Sequence, residues 1–83
     1  MTTIEIKIEG FGAIERLIPQ QFSLKCLPST QISHLLNQLA MLFPQSKKLL
    51  EQCACAIGED IVPRYSTVQH PTTLVLLSPV AGG

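Results

Sequence analysis

Residues 32–43 read ISHLLNQLAMLF, and their apolar side chains recur with the period of an α-helix. The apolar positions follow the spacing i, i+3, i+4, i+7, i+8 and i+11, and they are Ile32, Leu35, Leu36, Leu39, Ala40 and Phe43. This spacing predicts one amphipathic helix with a single apolar stripe. Ser29 or Thr30 supplies a side-chain oxygen for the first turn, and Pro44 marks the end.

Strand patterns lie on both sides of this helix. The stretch TIEIKIEG (3–10) alternates isoleucine with charged residues until Gly10, and residues 20–27 recover the alternation after a loop, which predicts two antiparallel strands. CACAI (53–57), the turn GED and the residues IV that follow predict two short strands around a tight turn. TLVLL (73–77) predicts a final strand after the breaker His70-Pro71.

One helix and four or five strands can form only two layers, with the apolar stripe packed across one face of a mixed sheet. The predicted fold class is therefore α+β, a β-grasp (ubiquitin-like) roll. The chain has 83 residues, enough for one domain. We expect residues 1–77 to form that domain and residues 78–83 to form a flexible tail.

The composition of the chain argues against several classes of function. Six basic residues balance six acidic ones without a basic stripe, which argues against nucleic-acid binding. Apolar runs are shorter than the roughly 20 residues of a membrane span, and the N-terminus is unlike a signal peptide, so we expect a cytoplasmic protein. Cys26, Cys53 and Cys55 suit neither a disulfide framework nor a CxxC zinc site, and we predict small buried side chains, with redox or metal chemistry as the alternative.

Few side chains are candidates for chemistry. His34 falls opposite the apolar stripe, His70 precedes a proline in a turn, and Glu59 and Asp60 are ordinary turn residues. The end of the chain is more informative, because Gly82 and Gly83 have no Cβ and leave the terminal carboxylate unhindered. If a partner converts that carboxylate to an acyl-adenylate, a sulfur nucleophile can displace AMP and leave a C-terminal thiocarboxylate.

The sequences AIGEDIV (56–62) and TLVLLSPVAGG (73–83) resemble the carboxy-terminal part of the small, sulfur-carrying subunit of molybdopterin synthase. Members of that family finish in an apolar strand, a proline and V-x-G-G. FGAIERL (11–17) and STQISHLLNQL (29–39) agree with the family more loosely. The resemblance covers the whole chain in layout, and its specific part is Ser78 to Gly83.

The resemblance implies a sulfur-donor subunit with no active site, metal or bound cofactor of its own. Gly83 would be adenylated with ATP by a ubiquitin-activating-like adenylyltransferase and would receive sulfur from a sulfurtransferase or cysteine desulfurase. Its thiocarboxylate would enter the large synthase subunit, within a heterotetramer, and convert cyclic pyranopterin monophosphate into the dithiolene of molybdopterin. Four residues would form the docking segment of the tail: Pro79, Val80, Ala81 and Gly82.

The final strand adds a surface prediction. It is apolar on both faces while one helix can cover only one, so either Leu74 and Leu76 or Val75 and Leu77 stay exposed or meet a partner, unless loops cover that face. We assign a partner interface to Val75, Leu76 and Leu77. Alternative functions are a related carrier for thiamine thiazole synthesis, tRNA thiolation or ubiquitin-like conjugation, and a non-covalent β-grasp interaction module.

Overall fold

A mixed five-stranded sheet forms one layer of the protein, which a computed structural model describes over residues 2–79. In chain order the elements are β1 (Ile4–Phe11), β2 (Phe22–Cys26), β3 (Thr30–Gln31), α1 (Ile32–Leu42), α2 (Lys47–Gln52), β4 (Ala54–Ile57), β5 (Asp60–Val62), β6 (Thr67–Val68) and β7 (Thr72–Leu77). Two 3₁₀ helices, Gly12–Arg16 and Pro44–Ser46, lie between them. The predicted α+β class and its mixed sheet are confirmed.

The sheet has the strand order β2-β1-β7-β4-β5. β1 and β2 pair antiparallel, as do β4 and β5, so both predicted strand pairs are confirmed. The last strand, β7, lies between β1 and β4, parallel to the first and antiparallel to the second. A parallel pair needs a long crossover, and the segment that contains α1 supplies it. The small β3–β6 sheet was not predicted.

The core lies between α1 and one face of the sheet, which we call the inner face. Ile6, Leu74 and Leu76 on the sheet and Leu35 and Leu39 on α1 are all 0% exposed. At one side of this core the rings of Phe22 and Phe43 meet edge to face, with their centroids 5.1 Å apart. Four residues of the stripe predicted for the helix are buried, Ile32, Leu35, Leu36 and Leu39, while Ala40 and Phe43 are partly buried against the core.

The first turn of α1 is satisfied in a way that the sequence did not predict. Neither Ser29 nor Thr30 caps the helix, because the N-cap residue is Gln31 and it makes no side-chain capping bond. The amides of Ile32 and Ser33 donate instead to the carbonyls of Ser66 and Arg64, each at 2.9 Å. Backbone from a distant loop thus satisfies amides that a side-chain cap would otherwise bind.

A second, short helix follows α1. Residues 47–52, for which no element was predicted, form α2. The guanidinium of Arg64 donates to the carbonyl oxygens of Leu50 and Cys53 at the end of that helix, the second at 2.8 Å. A cation on the last carbonyls of a short helix stabilises it. Within residues 2–79 no helix is long and apolar enough to cross a membrane.

Leu39 provides a test of this core. Leu39→Ala should lower the free energy of unfolding by about 2–5 kcal/mol, because the side chain is fully buried and its removal leaves a cavity. Met41→Ala is the matched control on the same helix, since Met41 is 81% exposed, and should change stability by less than about 0.5 kcal/mol. Urea unfolding followed by circular dichroism measures both. Equal losses of stability would contradict the assignment of Leu39 to the buried side of α1.

Candidate functional site

The last strand carries the chain from the centre of the sheet to the site. β7 runs beside β1 until Leu77 lies opposite Phe11, and on its other side Leu77 pairs with Ala54 of β4. The chain therefore leaves the sheet next to the residue where β1 passes into the 3₁₀ helix Gly12–Arg16. This is where the predicted tail begins.

Ser78 is bonded to that turn from both its backbone and its side chain. Its amide donates to the carbonyl oxygen of Phe11 at 3.1 Å, and its hydroxyl donates to the same oxygen at 2.7 Å. The hydroxyl oxygen also accepts a bond from the amide of Ile14, with a separation of 3.2 Å. These three bonds attach Ser78, the first residue of the predicted tail, to the turn after β1.

Gly12 provides the room that this arrangement requires. Its φ is +86°, in the region that side chains rarely adopt, and a Cβ built on it would overlap the Ser78 hydroxyl oxygen. Gly10 is also close-packed, because a Cβ there would lie 2.9 Å from a methyl carbon of Ile14. Gly12 therefore lets the turn approach the end of β7, and Gly10 lets Ile14 pack against β1.

The outer face of the sheet carries an apolar surface beside Ser78. Cross-strand register places its residues in two rows: Phe11, Leu77 and Ala54 in one, and Val75, Ala56 and Ile61 in the other. Phe11 is 50% and Ile61 65% exposed, and Ala54 is also exposed. Val75 and Leu77 are half-buried, and the small side chain of Ala56 is buried between its neighbours. We call these six residues the outer apolar patch. Exposed apolar residues grouped in this way commonly mark an interaction site.

The rest of the outer face is polar and charged. Glu5 lies opposite Lys25, and Lys7 lies between Ser23 and Thr73. All three charged side chains are exposed. The patch therefore ends at a polar border on the β2 side, the arrangement of an apolar centre with a polar rim that protein interfaces use.

The structure decides between the two alternatives for β7. Leu74 and Leu76 are fully buried on the inner face, so Leu76 must be removed from the predicted partner interface: its side chain packs in the core. Val75 and Leu77 lie on the outer face, where their role in an interface stays a prediction. Pro79 is exposed. The other predicted tail residues, Val80, Ala81, Gly82 and Gly83, lie outside the described residues.

The other candidates for chemistry are the cysteines and the histidines. All three cysteines are unpaired and buried, as predicted. Burial raises the pKa of Cys53 and of Cys55, and the proximity of Cys55 raises that of Cys53 further, so both thiols are protonated at neutral pH. His34 and His70 are exposed. Over residues 2–79 no three His, Cys, Asp or Glu side chains are grouped so that they could hold a metal ion.

Comparisons with known proteins assign the fold. No protein-family model matches the chain, and no curated protein matches it. Similar solved structures include a putative molybdopterin converting factor, subunit 1, from Pyrococcus furiosus, with a TM-score of 0.77 and 12% identity over 93% of this chain and 99% of that one.

Two further structures extend the comparison. A complex of subunits 1 and 2 of molybdopterin-converting factor from Helicobacter pylori gives a TM-score of 0.68 and 20% identity, covering 96% of this chain and 100% of the matched one. A ubiquitin from Caldiarchaeum subterraneum gives 0.67 and 16%, covering 99% and 100%. The protein thus has the ubiquitin-like β-grasp fold, and the predicted fold is confirmed. At these identities the similarity establishes the fold alone.

Sequence reasoning missed the contact that holds Ser78. The residues that bind it, Phe11 and Ile14, are 67 and 64 positions away in the chain. Two local signals were present: a serine directly after an apolar strand, and Gly12 directly after Phe11. Neither signal identifies its partner, because hydrogen bonds over such separations depend on the strand order.

Gly12 and Gly58 offer a matched pair of tests. Gly58 has φ +63° in the turn between β4 and β5, but a Cβ there meets nothing within 4 Å. Gly58→Ala should therefore cost only the backbone strain, about 1–2 kcal/mol. Gly12→Ala should cost about 1–3 kcal/mol more, because it adds the overlap with Ser78. Urea unfolding measures both, and equal losses would show that the Ser78 contact makes no contribution.

Proposed function

We propose that this protein is a ubiquitin-like sulfur carrier that serves molybdopterin synthesis. The observation that carries the proposal is the end of β7. A β-grasp domain delivers its last strand to Ser78 beside the outer apolar patch, and the sequence continues Pro79-Val80-Ala81-Gly82-Gly83. The similarity of the fold to subunit 1 of molybdopterin-converting factor supports the same function.

The chemistry belongs to the carboxylate of Gly83. A carboxylate is a poor acyl donor because its oxygen is a poor leaving group. An ATP-dependent adenylyltransferase joins that carboxylate to AMP and releases pyrophosphate. The persulfide of a sulfurtransferase or cysteine desulfurase then attacks the carbonyl carbon and AMP leaves; a thiol cleaves the acyl disulfide so formed and releases the thiocarboxylate. The thiocarboxylate sulfur attacks an electrophilic carbon of cyclic pyranopterin monophosphate, from which an oxygen leaves. Water then hydrolyses the resulting thioester, so the sulfur stays on the substrate and Gly83 returns to a carboxylate. Gly82 leaves the reacting carbonyl accessible because it has no Cβ.

In this proposal the domain recognises partners and the tail delivers sulfur. The outer apolar patch contacts the large synthase subunit, with Phe11 and Ile61 as its most exposed large side chains. Burying such side chains releases water from apolar surface and stabilises a complex. The polar border with Glu5 and Lys7 limits the contact on the β2 side. The complex of two subunits in the Helicobacter pylori structure supports a large-subunit partner.

Protein conjugation is the second candidate, and the similarity to an archaeal ubiquitin favours it. Both candidates begin with adenylation of Gly83, so they separate only at the next step. A sulfur carrier ends as a thiocarboxylate, whereas a conjugating protein ends as an amide on a lysine of another protein. A non-covalent interaction module would show neither product.

Mass spectrometry tests the carrier role. When this protein is co-produced with the adenylyltransferase and sulfur donor of its own source, its C-terminal peptide should have one oxygen replaced by sulfur. A variant with one alanine added after Gly83 is the matched control, since it keeps the domain and displaces the carboxylate. It should carry no sulfur and should not support dithiolene formation.

Two results would contradict the proposal. Synthase activity that survives deletion of Gly83 would show that the carboxylate of Gly83 takes no part in the reaction. An amide bond between Gly83 and a lysine of another protein, with no thiocarboxylate under the same conditions, would favour conjugation.

Ile61 tests the docking surface. Ile61→Asp should weaken binding to the large subunit at least about tenfold, because a carboxylate would have to lose its water in an apolar interface. Met41→Asp is the control, since Met41 is also highly exposed but lies on α1, in the other layer. Isothermal titration calorimetry measures both affinities. Unchanged binding of Ile61→Asp, or equal weakening by Met41→Asp, would place the interface elsewhere.

A further inference from the structure

We propose that the hydroxyl group of Ser78 is a positioning group that fixes the point and direction from which the sulfur-carrying tail starts. The inference rests on the proposed function and adds to it a residue that acts through the tail rather than on the reacting atoms. Ser78 is the last residue whose contacts with the domain are described. The position of Gly83 relative to the docked domain therefore depends on what holds Ser78.

The contacts restrain Ser78 from two directions. Its amide and hydroxyl both donate to Phe11, which is the end of β1, and its hydroxyl accepts from Ile14, which lies in the 3₁₀ helix. One amide bond alone would leave the residue free to rotate about that bond. The additional bonds of the hydroxyl, to a carbonyl and to an amide of different residues, define one orientation of the residue.

The group that binds the hydroxyl is itself fixed. Ile14 is 0% exposed and belongs to the hydrophobic core, so its amide cannot move without disturbing that core. Gly12 leaves the space that the hydroxyl occupies. The end of β7 is thereby joined to the core through a polar contact in addition to its strand pairing.

A fixed origin limits where the chemistry can occur. The five residues from Pro79 to Gly83, fully extended, span at most about 17 Å. Ser78 also adjoins Leu77, a member of the outer apolar patch, so the surface that docks and the origin of the tail form one rigid unit. A partner that binds the patch thus receives the tail from a defined point, which reduces the conformational freedom lost on binding.

The test compares Ser78→Ala with Thr30→Val. Both substitutions remove a hydroxyl that donates to a backbone carbonyl. The hydroxyl of Thr30 donates to Leu27 at 2.6 Å, just after β2 and near the start of β1, whereas Ser78 lies at the end of β1. Ser78→Ala should make the amide hydrogen of Ile14 exchange at least about tenfold faster, because its acceptor is lost. Thr30→Val should leave that exchange rate unchanged.

A kinetic measurement provides the functional readout. In ATP–pyrophosphate exchange catalysed by the adenylyltransferase, Ser78→Ala should raise the KM for this protein about three- to tenfold with kcat within about twofold, because a less restrained tail is less often in the competent position. Gly12→Ala should have the same effect by displacing the hydroxyl, and Gly58→Ala should not.

Two outcomes would overturn the inference. The first is exchange of the Ile14 amide in the unmodified protein that is already as fast as in Ser78→Ala. The second is a KM that Ser78→Ala leaves unchanged or that Thr30→Val raises equally. Failure of the proposed function is distinguishable, because it would appear as no thiocarboxylate on the unmodified protein, whether or not pyrophosphate exchange is seen. The hydrogen-exchange measurement needs no enzyme and would still decide whether the hydroxyl holds the tail.

Discussion

The parallel pairing of β1 with β7 is the constraint on which the rest of the structure depends. It joins residues 6–11 to residues 72–77, the two ends of the domain, and so places the last strand in the middle of the sheet. With β4 on its other side, β7 has neighbours along both edges, and Leu74 and Leu76 are directed into the core beneath α1. The same alternation directs Val75 and Leu77 to the outer face.

This pairing also determines where the chain leaves the domain. Because β7 ends opposite Phe11, the residue after it meets the turn that follows β1, and the hydroxyl of Ser78 finds both a donor and an acceptor there. The outer apolar patch forms around the same point, since Phe11 and Leu77 are neighbours in the register. A docking surface and the origin of the tail thus follow from one strand pairing.

The elements that the sequence predicted are those whose signals are local. The alternation of Ile4, Ile6 and Ile8 and the stripe from Ile32 to Phe43 each reflect burial on one face, which a short window of sequence records. α2 was missed because its six residues are too few for a clear period. The first turn of α1 was assigned to a side-chain cap because nothing local indicates that the carbonyls of Arg64 and Ser66 satisfy it.

The candidate site likewise has one part with a local sequence signal and one part that depends on long-range contacts. Gly82-Gly83, the proposed reactive end, can be recognised in the sequence. The contacts that hold Ser78 join residues more than sixty positions apart, and which residues of β7 face outward depends on where α1 packs. The buried thiols bear on the chemistry proposed for the tail. Cys55 lies beside Leu76 on the inner face, and burial raises its pKa, so it stays protonated and shielded. A thiolate near an acyl-adenylate would displace AMP and capture the acyl group as a thioester. A buried, protonated thiol is a poor nucleophile, so in the proposed carrier Cys55 would not compete for the activated carboxylate.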